Sequence, residues 1–295
     1  MSQIITYPFK PISNEQQNLH IISISERIKK GGPNVIKPHR TDFYIIQLIT
    51  KGNSSYMVDF EDVKLTKGDL LFLTPGQVHS FLTPTDLEGW LIAFPKDFFN
   101  QSSRDLYFLD NAYIFNNYYP VTKLAFKDND LKVYVELAQK IGNELKNPHD
   151  SFQGSILHNY LSNLLLFSER KFLQKNPSSH TSTLTQDGMY VTRFKKMIAQ
   201  SFRKETKVKS YANELFISER KLQKAVMSIL GKSPKELINE QVILESKRLL
   251  VHETMSIKEI SYDLGFDEPS NFTKFFKKQT GISPTQFKEE KMISS

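Results

Sequence analysis

The sequence predicts a multidomain α+β protein: an N-terminal antiparallel β barrel followed by helices, then an all-α C-terminal domain holding two helix-turn-helix units. Three observations carry this. From about Ile21 to Phe94, short runs of β-branched and aromatic residues alternate with turn residues. After Phe99, apolar residues fall at helical spacing. Near the C-terminus, two stretches repeat one set of turn residues, each closing on Gly-x-Ser-Pro.

The strands expected are Asp42 to Thr50, Ser55 to Phe60, Leu70 to Leu73 and Trp90 to Phe94. The breakers between them are Gly52-Asn53, Lys67-Gly68-Asp69, Pro75-Gly76 and Pro84. Short strands this closely spaced suit a sandwich or small barrel. Leu131 to Leu145 and Phe152 to Leu173 read as helices. The second carries Ile156, Leu157, Leu161, Leu164, Leu165 and Leu166, too broad an apolar face for a lone surface helix, so it is expected to pack on the barrel and on a second subunit. Asn176 to Gly188 reads NPSSHTSTLTQDG, a polar, hydroxyl-rich linker. The division expected is 1–130 for the barrel, 131–175 for a helical dimerisation segment, 176–188 for the linker and 189–295 for the C-terminal helical domain.

Charge is unevenly placed. Residues 1–188 hold 19 Lys and Arg against 19 Asp and Glu, whereas residues 189–295 hold 20 against 13, so the whole formal +7 lies in the last third. That is the footprint of a polyanion partner, although a solvated basic surface accounts for charge alone equally well. The chain has no cysteine, which excludes disulfides and thiolate metal sites. No basic-then-apolar leader opens it, and its longest useful apolar run, Leu161 to Phe167, is interrupted by Ser162 and Asn163 and is too short to span a bilayer. A soluble cytoplasmic protein without membrane contact is expected.

The repeat is more informative. Its first copy runs Ala212 to Leu215, Ser218 to Leu222 and Gly231-Lys232-Ser233-Pro234. Its second runs Ser261 to Leu264, Gly265-Phe266, Phe272 to Phe276 and Gly281-Ile282-Ser283-Pro284. Ser233-Pro234-x-Glu236 combines an N-cap, a proline at the first helical position and the acidic partner of a capping box; Ser256-x-x-Glu259 and Ser283-Pro284-x-Gln286 repeat that pattern. In a helix-turn-helix the second helix enters the major groove, so one face must be apolar and the other polar and reaching. On the first such helix Leu222, Ala225 and Val226 form the seam, leaving Arg220, Lys221, Gln223 and Lys224 outward. Gln suits adenine, and Arg or Lys suits guanine. On the second, Phe272, Phe275 and Phe276 point in while Ser270, Asn271, Thr273 and Lys274 point out, with Lys277 and Lys278 one turn later for phosphates. One short basic helix is usually an ordinary solvated face. Two with matched turns and exits argue for DNA.

Residues 190–290 resemble the DNA-binding domain of AraC/XylS-type transcriptional regulators, through Ile260-Ser261-x-x-Leu264-Gly265-Phe266, Ser270-x-Phe272, Phe276-Lys277-Lys278, Gly281 and Ser283-Pro284. The resemblance implies seven helices, two helix-turn-helix units joined by a long helix from Pro234 to about His252, and two successive major grooves. It carries Arg220, Gln223, Lys224, Ser270, Asn271 and Lys274 over as groove contacts. Ser261 where alanine is usual, and Pro269 opening the second recognition helix, are its departures.

Pro38-His39-x-Thr41 and Gly68-Asp69 through Val78-His79 resemble the cupin-like (jelly-roll) sensor domain that often precedes this module. Metal-binding cupins take two His and a Glu from the first motif and a His from the second. Here Thr41 holds the second His position and Gln47 lies near the expected acid, so His39 and His79 make a poor Zn²⁺ or Fe²⁺ site. No metal, cofactor or catalytic residue is expected. The barrel could instead enclose a small ligand, with His39, Tyr44, Tyr56, Phe72, His79, Phe81 and Trp90 as candidate lining, although aromatics at this density are more often core. Neighbouring Arg40 and Lys37 could favour an anion or be plain surface charge. The reading is a sequence-specific DNA-binding transcriptional regulator, not an enzyme, governed by a small molecule in the barrel. Its expected partners are double-stranded DNA, a small-molecule effector, a second copy of the chain and, if it activates, RNA polymerase. The rival is a cupin-type enzyme or small-molecule binding module with an accessory basic domain. A regulator without any effector is a third reading.

Overall fold

The β-branched runs of the N-terminal half form ten strands in the computed structural model, which describes residues 4–10, 19–31, 36–82, 87–115, 121–176 and 185–293. Pro84 and residues 177–184 of the expected linker lie outside these. The chain divides into two units, one of residues 5–176 and one of residues 177–295 together with Ile4. The N-terminal unit runs β1 (Ile5–Tyr7), β2 (His20–Ser23), α1 (Ile24–Gly31), β3 (His39–Thr41), β4 (Tyr44–Lys51), β5 (Asn53–Val58), β6 (Glu61–Thr66), β7 (Asp69–Leu73), β8 (His79–Phe81), β9 (Glu88–Phe94), α2 (Lys96–Phe99), α3 (Ser103–Asn111), a 3₁₀ turn (Tyr113–Phe115), β10 (Thr122–Ala125), α4 (Asp128–Glu144) and α5 (Gln153–Lys175).

Two five-stranded sheets result, ordered β1-β3-β8-β5-β6 and β10-β7-β4-β9-β2. Their pairings are antiparallel except that of β1 with β3, which is parallel. Side chains alternate across the second sheet, as a pleated strand requires. Ile45, Ile49, Leu71, Leu73 and Ala93 belong to the core shared with the first sheet. Ile46, Leu48, Leu70, Phe72, Ile92 and Phe94 belong to the core built with α4 and α5.

Three expectations change here. The stretch after Ile21 is not all strand, because α1 interrupts it; Ser23 caps that helix by accepting the Glu26 N–H at 3.1 Å. The strand expected from Ser55 to Phe60 ends at Val58, since Asp59 and Phe60 take φ of 48° and 75° and turn the chain into β6, as two-residue hairpin loops do. The apolar face of α5 is already covered within the chain: Leu157, Leu161, Leu164 and Leu165 are buried against the sheet and α4, and Ile156 is half-buried. The excess apolar surface inferred for this helix does not exist; Phe152 and Leu166 are what remains exposed.

The C-terminal unit has seven helices among the described residues: α6 (Gln186–Ser201), α7 (Val208–Glu214), α8 (Glu219–Leu230), α9 (Pro234–His252), α10 (Ile257–Asp263), α11 (Pro269–Thr280) and α12 (Pro284–Ile293). The last three residues expected as linker are helical, because the Thr185 hydroxyl caps α6 by accepting the Gly188 N–H at 3.1 Å. Ser218 caps α8, and full capping boxes open α9 with Ser233 and Glu236 and α10 with Ser256 and Glu259. Ser283 and Gln286 exchange the same pair of bonds at α12. No helix among the described residues is long and apolar enough to cross a membrane.

Candidate DNA interface and ligand cavity

The two helix-turn-helix units, α7–α8 and α10–α11, match in their backbone bonds. Ile217 N–H donates to the Ala212 carbonyl at 3.0 Å, and Phe266 N–H donates to that of Ser261 at 3.0 Å. The residue before each donor is left-handed: Phe216 at φ 57° and Gly265 at φ 84°. Gly265 is required, since a Cβ there would lie 2.1 Å from the Arg203 carbonyl oxygen. Phe216 meets no such wall and is 95% exposed. Arg203 also ties the second unit to the long helix, its Nη2 donating to Glu245 Oε1 at 2.7 Å and its Nε to Asp263 Oδ2 at 3.1 Å.

Leu222, Ala225 and Val226 bury the inner face of α8, and Phe272 and Phe276 that of α11. Phe275 is half-buried against Phe266, with ring centroids 5.4 Å apart. Arg220, Gln223 and Lys224 are exposed on α8, as are Ser270, Asn271, Lys274, Lys277 and Lys278 on α11. Lys221 is turned aside, its Nζ 2.7 Å from Asp187 Oδ1 on α6. The Thr273 hydroxyl donates to the Pro269 carbonyl at 2.9 Å and so serves its own helix, and the Ser270 hydroxyl donates to Glu268 Oε2 at 3.1 Å.

In the N-terminal unit a cavity of about 320 Å³ opens between the sheets beside α1. Of the seven lining residues expected, His39, Tyr56, His79 and Phe81 line it. Tyr44, Phe72 and Trp90 occupy the opposite face of their strands and pack towards the helices, Tyr44 stacking on Phe94 at 5.3 Å and Phe72 meeting Phe115 at 5.6 Å. Arg40 and Lys37 do not line the cavity. Arg40 Nε donates to Thr6 Oγ1 at 3.0 Å, and Lys37 supplies its carbonyl to His39. Tyr7, His20, Arg27, Thr41 and Phe43 line it without having been singled out as ligand-binding. For Arg27 a signal was present, because Ser23-x-x-Glu26 has the same capping pattern that marked α9 and α10.

His39 Nδ1 bonds the Lys37 carbonyl at 2.9 Å, and His79 Nδ1 bonds the Gln77 carbonyl at 3.1 Å, with ring centroids 4.5 Å apart. Burial, reinforced by His39, holds the His79 imidazole down at about 3, and burial lowers His39 as well. Both rings are therefore neutral near pH 7. Among the described residues no group of three or more His, Asp or Glu is placed to hold a metal ion.

A domain that presents two reading helices, joined to a barrel with a cavity, defines the class: a DNA-binding transcriptional regulator with a ligand-binding domain. Residues 25–132 match the family described as AraC-like ligand binding domain, and residues 211–290 match the one described as helix-turn-helix domain. Together the matches span more than half of the chain, and it belongs to the AraC family of transcriptional regulators. The lactose operon transcription activator of Staphylococcus xylosus is 24% identical to it over 255 residues, covering 85% of each chain. The Msm operon regulatory protein of Streptococcus mutans is 25% identical over 270 residues, covering 90% of each. Among solved structures, ToxT from Vibrio cholerae aligns over 92% of this chain and 97% of its own at 18% identity, with a TM-score of 0.42.

Proposed function

We propose that the protein reads a bipartite operator through α8 and α11 and that a small molecule in the barrel cavity sets how strongly it does so. One observation carries this reading: two matched helices bury their inner faces and leave Arg220, Gln223, Asn271 and Lys274 uncovered near their N-terminal ends, where base contact occurs. Lys277 and Lys278, in the last turn of α11, suit phosphates. Lys221 and Thr273, already engaged within the fold, contribute less. The relatives are named for operon control and one is named an activator, which supports a protein that raises transcription through RNA polymerase. A chromosomal target puts its work in the cytoplasm. Segment 131–175 is proposed to pair two copies through the outer side of α5, where Leu166 and, just before the helix, Phe152 are exposed.

The experiment is to sequence the genomic fragments retained by the purified full chain, then to measure a ligand's affinity with and without the enriched site. Linkage requires operator to change ligand affinity by the factor by which ligand changes operator affinity. Fragments without a common motif would refute sequence-specific reading. Equal ligand affinities with and without operator would leave the cavity a binding site but not the switch.

A further inference from the structure

The cavity's chemistry narrows what can occupy it, on the reading that its occupant is the effector. Backbone carbonyls can only accept, so the Nδ1 atoms of His39 and His79 must carry the protons in their bonds to Lys37 and Gln77. Each ring then has Nε2 as a bare acceptor, and no described residue donates to either. His20, on the same wall, has its Nε2 buried without a hydrogen bond. Behind the lining, Gln47 is fully buried, and its carboxamide faces the Tyr56 hydroxyl without closing a well-formed bond. Buried polar groups in native proteins have partners, so a cluster of unsatisfied ones around a cavity marks a missing one.

Charge adds a second constraint. Glu26 and Lys30 at the rim pair with each other at 2.6 Å. Arg27 has no ion pair with a described residue, yet it lines the cavity near enough for its charge to act on His39, His79 and Tyr56. The remaining wall is mostly apolar, with Ile21, Ile45, Phe81 and Leu91, joined by Tyr7 and Thr41. A neutral occupant would leave a half-buried guanidinium uncompensated, whereas a carboxylate can take its two parallel N–H donors.

We propose that the cavity binds a small hydroxycarboxylic acid with an apolar face, its carboxylate on Arg27 and its hydroxyl donating to one of the two imidazole Nε2 atoms, that of His39 or that of His79. At about 320 Å³ the space sits at the lower end of the range for small-molecule sites, which suits a compact acid.

The test uses the full chain without DNA, so it is independent of whether the operator reading holds. Thermal melting at constant ionic strength would be followed with mandelate, with phenylacetate (hydroxyl removed), with mandelamide (charge removed) and with D-ribose as a neutral polyol. Mandelate should raise Tm most and phenylacetate less, with mandelamide at least about tenfold weaker, since a charge-assisted bidentate contact is lost. Arg27→Gln should abolish the response to both acids and Arg27→Lys should restore part of it, while Arg40→Gln, outside the cavity, should respond like the wild type; circular dichroism would show that each variant is folded. No shift with either acid, or a mandelate response that survives Arg27→Gln, overturns the proposal. A shift with mandelamide or ribose as large as with mandelate also overturns it while leaving the cavity a ligand site.

Discussion

At Phe216 and Gly265 the two helix-turn-helix units hold one backbone conformation with very different side chains, and the Arg203 carbonyl explains the difference. Gly265→Ala must push a Cβ into that oxygen at positive φ, so it should cost at least about 2 kcal/mol of stability. Phe216→Gly removes left-handed strain of about 1 kcal/mol but loosens the unfolded chain by a similar amount, and the exposed ring loses no packing; it should change stability by less than about 1 kcal/mol. Urea denaturation of the full chain would compare them, and equal losses would refute the account. His79 supports a pH prediction. Folded, it is held at about 3; unfolded, it returns to 6.5. Between those values the unfolded chain binds the proton that the folded chain refuses, so stability is full above pH 6.5 and falls as pH drops toward 3. Melting curves from pH 7 to pH 4 should show this loss, with a shallower slope for His79→Gln. An unchanged slope would place the acid sensitivity in other groups.

At the scale of elements, the proposed function gives Arg220, Gln223, Asn271 and Lys274 base reading and Lys277 and Lys278 phosphate anchoring. Gln223→Ala should cost about 1–3 kcal/mol at one operator position, while Lys278→Ala should weaken all sequences alike. Binding measured across a library of single-base operator variants would separate the two, and the same uniform loss from both would contradict that division. Lys221→Ala should leave specificity untouched, because its ammonium is spent on Asp187. These helices were legible in the sequence because their boundaries are set locally, by Ser218, Ser233, Ser256 and Ser283 at the caps and left-handed Gly231 and Gly281 at the exits. The barrel was legible only in part. That Tyr44, Phe72 and Trp90 lie in strands could be read; which side they face could not, because a two-sided sheet with apolar residues on both faces has no polar alternation to give its parity. Helix α1 was hidden by Ile21 and Ile22 of β2 just before it and by its own Ile24, whose β-branched run masked a capping serine.

For the whole molecule, the placement of all net charge in the last third predicts that residues 185–295 bind duplex DNA with an affinity that falls steeply between low and physiological salt, each neutralised phosphate releasing a counterion. Filter binding or anisotropy across that range would test it, and a flat response would remove the electrostatic argument. Sequence read at this scale went too far in one place: the leucines of α5 show how much apolar surface must be covered but not by what, and the chain's own sheet and α4 cover it. The long helix α9 bears on how an operator can evolve. Its 19 residues span about 28 Å along the helix axis between the two helix-turn-helix units, somewhat less than the roughly 34–36 Å turn of duplex DNA. That separation is covalent and clamped at one end by Arg203. Changing one letter of the operator therefore weakens a contact by degrees. Inserting one letter between its halves swings the second half roughly 35° around the duplex axis, out of reach of a protein that cannot lengthen to follow it. On the proposed bipartite reading, the gap in the site is spelled in the protein, and drift in the DNA would rewrite either word but not the space between them.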